Sequence, residues 1–331
     1  MSRLVPLTTL LSLVVGGVYL FNRYEIRGLD RLDLQPRGTT PAGSTSEFGQ
    51  SVAPDSGEQP DVALRRRPWI RIAAFHFGPV DQAKMARQHV MGGIVQIIRD
   101  FDIVAVQDIR AENPAPLVQL IELVNAGGRH YDFAVSSDVG RKPLGRYGAF
   151  LYDKQTIQID PATVCRVSDP TGSFRWPPLV AAFRTRGVQP SQAFTFTLIS
   201  VQVDRSRAAA EVDLLDDVYR AVRDDGRGED DVILLGYLGA DTQHLGQLAA
   251  LPYSRSVAGP LPTATRGTGT VDHILLDAMA TVEFTGRAGV VDIMRRLNLS
   301  MPEAVEVSEH LPVWAEFSIF EGGQSGFSTP E

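Results

Sequence analysis

Five side chains able to do chemistry stand at or just beyond the ends of apolar runs. They are His76 after IRIAAF, Asp108 in DIVAVQDIR, Asp272 in TVDHILLD, and Glu309 with His310 in VSEHLPV. Imidazoles and carboxylates are general acids and bases near neutral pH. Carboxylate oxygens are also hard ligands that suit Mg2+, whereas two imidazoles among carboxylates favour Zn2+ or Mn2+. Alternation along a strand lets Asp272 point into such a site while its neighbour His273 points away. Arg110 and Arg175 can each be ordinary surface arginines. Cys165 is the single cysteine; it excludes an internal disulfide and the Cys-rich zinc frameworks, and reads as a small buried core residue.

These groups need a scaffold, and the chain is long enough for one. Its 331 residues are 44% hydrophobic and 21% charged, ordinary globular usage for one or two domains. The net charge of −7 excludes a global positive field, so any contact with a polyanion must be local. Arg141, Lys142 and Arg146 in SSDVGRKPLGRY (136–147) form such a local cluster, either a solvated turn or a backbone contact. From Trp69 onward, short apolar strands alternate with helical patterns, an α/β signature. Strands are expected over 70–75, 103–107, 133–136, 149–152, 194–203, 232–235, 271–276 and 312–317, with helices near 84–101, 114–124, 208–223 and 301–304 and a helical turn near 242–251.

The chain is read in four parts: 1–21, a linker over 22–67, a folded domain over 68–320 and a tail over 321–331. Residues 4–21 (LVPLTTLLSLVVGGVYLF) are uncharged and just long enough to span a bilayer. No small-x-small cleavage site follows them, which favours an uncleaved single-pass signal anchor over a signal peptide that would release a secreted or periplasmic protein. The linker is rich in Gly, Ser, Pro and Thr and reads as a flexible tether ending in Arg65, Arg66 and Arg67, a solvated hinge or a contact for anionic lipid or nucleic acid.

Read in order, IRIAAFHFG, DIVAVQDIR, YGAFLYD, FTLISVQVD, DVILLGYLGAD, TVDHILLD and VSEHLPVWAEF spell a known series. With FRWPPLVAAF at 174–183 they resemble the endonuclease/exonuclease/phosphatase superfamily, most of all its deoxyribonuclease I branch, across essentially all of 68–320. The resemblance implies a four-layer α/β/β/α sandwich with a Mg2+-dependent phosphodiesterase site at one rim, and DNA or another phosphoester as ligand. It also implies catalytic roles for His310, Asp272 and Glu309, metal binding by Asp108 and Glu309, and phosphate or DNA contacts by Arg175 and Arg110.

Several positions depart from that pattern. His76 stands where the family has Asn, and Asp108 where it has the metal-binding Glu. Gln202 replaces the catalytic His, and near Gly145-Arg146 no carboxylate partner for it is found. Tyr237 and Gly239 replace the Asp and Asn of Gly-Asp-Phe-Asn. Asp241 reads as a turn or cap residue. The expected function is therefore a membrane-tethered family member with lost or strongly reduced phosphodiesterase activity and a binding role. The alternative is an active metal-dependent phosphoester hydrolase with a rearranged site, in which His76, Asp108, Asp272, Glu309 and His310 converge on Zn2+ or Mn2+; against that site, His76 reads as a polar filler beside Tyr237.

Overall fold

The computed structural model describes residues 67–139 and 145–323, together with the backbone of β1 (Tyr24–Ile26) and β2 (Leu34–Pro36). These two strands pair antiparallel, with Glu25 opposite Gln35, so the linker expected to be wholly irregular contains a short ladder. Residues 4–21 lie outside the described residues, as do Arg141 and Lys142. Among the described residues no helix is long and apolar enough to cross a membrane.

Side-chain alternation builds the domain. In β3 (Trp69–Phe75), Ile70, Ile72 and Ala74 enter one core while Ala73 and Phe75 enter another. β4 (Ile103–Ile109) does the same with no exposed residue, the pattern of a strand covered on both faces. With β5 (Tyr131–Ala134), β6 (Tyr147–Asp153), β13 (Phe284–Val290) and β14 (Val313–Ser318) they form a sheet in the order β13-β14-β3-β4-β6-β5. The second sheet, β11-β12-β10-β9-β8-β7, comprises β7 (Ile157–Arg166), β8 (Leu179–Thr185), β9 (Thr195–Gln202), β10 (Val232–Tyr237), β11 (Ser254–Ser256) and β12 (Asp272–Asp277).

Between the sheets, stacked and edge-on phenylalanines link Phe150, Phe183, Phe196, Phe194 and Phe317 at centroid distances of 4.6–5.9 Å. After the four-residue α1 (Gln82–Met85), α2 (Gln88–Ile98) and α3 (Ala115–Asn125) cover the outer face of the first sheet through Val90, Ile94, Leu117 and Leu120. On the far side, α4 (Ala208–Asp213), α5 (Leu215–Arg223) and α6 (Gly246–Ala249) cover the second through Val212, Leu215, Val218 and Leu248. Helix, sheet, sheet and helix are thus the layers. α7 (Ile293–Leu297) and α8 (Met301–Val307) lead into β14, and α8 begins with a capping box between Ser300 and Glu303.

Several expectations change. The helix expected over 84–101 breaks at Arg87, and that over 208–223 breaks at Leu214. β7 went unread because it is an edge strand with Pro161 and a register shift between Asp160 and Cys165, which erases the alternation. Cys165 is exposed on it rather than buried in a core. β13 was hidden by Gly286 and Gly289. Arg67 is bound to Asp102 at 2.8 Å and stacked on Trp69, so it belongs to the domain rather than to a hinge. The last turn, Glu321–Gly323, also packs on the body: the Glu321 N–H donates to the Gln192 carbonyl at 2.9 Å.

One glycine permits the register of the second sheet. Gly236 has φ +134°, and a Cβ there would lie 2.1 Å from the Val201 carbonyl oxygen on β9. Gly236→Ala is expected to cost more than about 2 kcal/mol, because strain and a backbone clash act together. Equilibrium urea unfolding measures it; an unchanged midpoint would mean that β9 and β10 are not this close.

Candidate active cleft

Strand direction gathers the chemical groups. β3 runs parallel to β4, and β9 to β10, whereas the other described pairs of the two sheets are antiparallel. The C-terminal ends of the parallel strands carry His76, Asp108, Gln202 and Tyr237. β12 is antiparallel to β10, so its first residue, Asp272, lies beside Tyr237. β14 is antiparallel to β3, which brings Ser308, Glu309 and His310 to the same rim. His76, Asp108, Gln202, Tyr237, Glu309 and His310 all line one open cleft of about 1320 Å³, mouth included.

His310 Nδ1 lies 2.8 Å from Asp272 Oδ2, and this carboxylate raises the His310 pKa against the effect of burial. The His310 N–H donates to Ser308 Oγ at 2.9 Å, and that hydroxyl donates to the His76 carbonyl at 3.0 Å, tying the two histidine segments together. His273 points the other way, between Ser256 Oγ and the Ala240 carbonyl. The alternation expected at Asp272 and His273 is therefore present.

Three rings fill the centre. His76 packs on His310 at 4.5 Å and on Tyr237 at 5.4 Å, and Tyr237 meets His310 edge-on at 5.1 Å. Burial, then His310, lowers the His76 pKa to about 3, so His76 is neutral. Its Nε2 faces the Gln202 side-chain nitrogen at 3.5 Å, and its buried Nδ1 has no hydrogen-bond partner. Burial raises the pKa of Tyr237, which keeps the phenol protonated and so removes it as a base near neutral pH. A Cβ on Gly239 would sit 3.2 Å from Tyr237 Oη, so the phenol fills the space that a side chain at 239 would need.

Asp108 is buried at φ +59°, a strained setting for a non-glycine residue. Arg110 grips both of its oxygens at 2.8 Å, Arg146 reaches Oδ1 at 3.1 Å, and the Asp108 backbone N–H donates to Gln202 Oε1 at 3.1 Å. Arg146 also lies over Trp176 at 4.7 Å. Arg110 is thereby committed to Asp108. Arg175 is exposed outside the cleft lining; its N–H donates to Glu211 Oε1 at 2.9 Å. Glu309 is exposed at the rim, and Asp241 is an exposed turn residue accepting from the Gln243 N–H.

Sequence reasoning missed Lys84 and Arg205. Lys84 Nζ donates to the carbonyls of Phe77 and Val307, and burial lowers its pKa to about 8. Arg205 is exposed at the rim, has no ion pair among the described residues, and acts electrostatically on Tyr237 and His310. Nothing in the local pattern distinguishes either from a solvated surface cation.

Of the cleft carboxylates, only exposed Glu309 is left without an ion pair or a side-chain hydrogen bond among the described residues to meet Mg2+. The Asp108 carboxylate is saturated by guanidinium groups, and that of Asp272 is engaged by His310. Among the described residues, the groups of three ligating side chains close enough to share an ion lie elsewhere, around Asp231. The two-histidine Zn2+ or Mn2+ arrangement is likewise not assembled.

No family model matches the chain. Deoxyribonuclease-1 of Gallus gallus is 24% identical over 272 residues, covering 76% of this chain and 93% of that protein. The chain is similar in sequence to proteins of the deoxyribonuclease I family. Its fold is shared with humanized TDP2 of D. rerio, at TM-score 0.55 and 13% identity over 76% of this chain and 100% of the other. An endonuclease/exonuclease/phosphatase protein of Bacteroides vulgatus gives 0.51 and 14%, again over 76% and 100%. In this deoxyribonuclease I-like domain the strand ends meet as the resemblance implies, with rings and guanidinium groups at the centre.

The two histidines give opposite pH responses. The unfolded chain takes up a proton near pH 6.5 that folded His76 refuses, so its contribution falls as pH drops from 6.5 toward about 3. His310 contributes stability that is complete below 6.5 and lost as pH rises through its higher folded value. Imidazole NMR is expected to show His76 neutral at pH 5 and His310 titrating above 6.5, with Asp272→Asn lowering the latter. His76→Gln should flatten the acid limb of stability; a His76 that titrates near 6.5 would rule out the packed three-ring centre.

Proposed function

We propose that this protein is a membrane-tethered deoxyribonuclease I-like domain that holds a phosphate-bearing ligand, DNA or another phosphoester, without turning it over at an appreciable rate. The observation that carries this reading is the ring stack of His76, Tyr237 and His310 at the point where the strand ends meet. Phosphodiester hydrolysis needs a base to prepare the nucleophile and donors to stabilise the phosphate. Gln202 cannot shuttle a proton, Tyr237 holds its own too tightly, and Asp108 is neutralised by two arginines. Losing an acid–base group costs about 10²–10⁴ in rate, and losing an oxyanion donor about 10²–10³; the losses are not additive, yet together they leave little. Ligand binding falls to Arg205 beside His310, with the uncharged 4–21 stretch as the tether.

The His310–Asp272 pair favours a second reading. An imidazole oriented by a carboxylate, with Arg205 nearby, is the residue set of an active phosphoester hydrolase with a rearranged site.

Plasmid nicking by the full chain in detergent separates the two, with Mg2+, Ca2+, Mn2+ and Zn2+ supplied one at a time. The expected result is no cleavage above an Asp272→Ala/His310→Ala control. Cleavage that vanishes in that control would establish the second reading. The full chain is also expected to remain with membranes through carbonate extraction at its uncleaved mass, and deletion of 4–21 to release it; a shortened soluble product would show signal cleavage instead.

A further inference from the structure

Lys84 carries the one amine in the lining of the cleft and is one of three lysines in the chain. It lies buried on α1 and makes no ion pair among the described residues. Its Nζ donates to the Phe77 carbonyl, two residues past β3, and at 2.8 Å to the Val307 carbonyl at the end of α8. Those two bonds use both N–H groups of a neutral amine. The third proton of an ammonium has no acceptor among the described residues, so losing it breaks no hydrogen bond and leaves a lone pair in its place.

The charges around the amine also favour the neutral form. Burial, then Arg87, lowers its pKa to about 8 against the opposing pull of Asp81, Asp108 and Glu309. About one amine in ten is therefore neutral at pH 7, compared with about one in three thousand for an ordinary lysine. A lysine that served only to cap the end of α8 would gain from keeping its charge, because a helix C-terminus favours a cation. The same cleft offers phosphate contacts. Arg87 and Arg205 are exposed in its lining without an ion pair among the described residues, and Asp272 holds His310 toward its charged form. A buried, partly neutral amine beside such cations is suited to add to a carbonyl carbon.

We infer that Lys84, positioned by the Phe77 and Val307 carbonyls in the same cleft as Arg87, Arg205 and His310, captures the aldehyde of a phosphate-bearing ligand as a reversible imine. The amine lone pair adds to the aldehyde carbon as the C=O π bond opens, and one N–H proton passes to the oxygen. The second N–H proton leaves with that hydroxyl as water, and the C=N bond forms. No oxidant or reductant is consumed. A proton taken from solvent gives the imine one N–H, enough for one of the two carbonyls; the other loses its donor, a cost that favours release. The phosphate half of this ligand rests on the reading of the cleft as a phosphate site, whereas the imine does not.

Glyceraldehyde 3-phosphate and glyceraldehyde, one aldehyde with and one without a phosphate, test the site on the full chain in detergent, with cyanoborohydride trapping and peptide mapping. At pH 7 the phosphorylated probe is expected to label Lys84 at least about tenfold faster than exposed Lys154, and the Lys84 rate to rise with pH and level off above about 8. Lys84→Arg should remove that adduct; because the mapping is done on the parent chain, the test stands even if this variant fails to fold. A preference for the phosphorylated probe that is lost in Arg205→Ala supports both halves of the ligand. Equal labelling of Lys84 by the two probes would retain the imine and overturn the phosphate reading. Labelling of Lys84 no faster than that of Lys154 would overturn the proposal.

Discussion

Two parallel strand pairs, β3–β4 and β9–β10, pack across the sandwich and dictate where every chemical group of this domain stands. Because the pairs point the same way, residues far apart in the chain leave the sheets at one rim. The phenylalanine stack between the sheets holds the pairs in register, and Gly236 lets β10 approach β9 closely enough to complete the second pair. The cleft is a consequence of this packing.

What occupies that rim is a balance of charge and bulk. Asp272 holds His310 toward its charged form, and the crowded His76 beside it is held neutral. Two imidazoles in contact thus avoid mutual repulsion, because only one needs to carry a proton. Asp108 shows the same economy, since a carboxylate buried at a strained backbone position is paired with the guanidinium groups of Arg110 and Arg146. These arrangements satisfy the rim internally, leaving Arg205 and exposed Glu309 to face solvent.

The acidic pole contrasts with the rim. There, Asp231, Glu283 and Glu321 meet without a guanidinium or ammonium partner among the described residues, and burial with the Glu283 carboxylate pushes the Asp231 carboxyl up to about 9, so that it keeps its proton. The two ends of one sandwich have therefore taken different solutions to burying charge: pairing with arginine at the rim, and retention of a proton at the base.

Sequence by itself determined the α/β class, most central strands and the residues that stand at their ends. A strand buried on both faces, such as β4, writes its burial directly as an apolar run. Edge and glycine-containing strands such as β7 and β13 did not show, because partial exposure removes the alternation on which the reading depends. His76, Asp108, Asp272, Tyr237, Glu309 and His310 were legible as a set, since motif order carries topology. Tyr237 beside His76 was read as well, but the other partners were not: Arg146 on Asp108, Tyr237 on His310, and Asp231 facing Glu283 across unrelated turns are contacts between distant segments. Tertiary structure alone decided those, because side-chain electrostatics depends on the few ångströms between groups, and such distances are set by how the two sheets pack rather than by any local pattern.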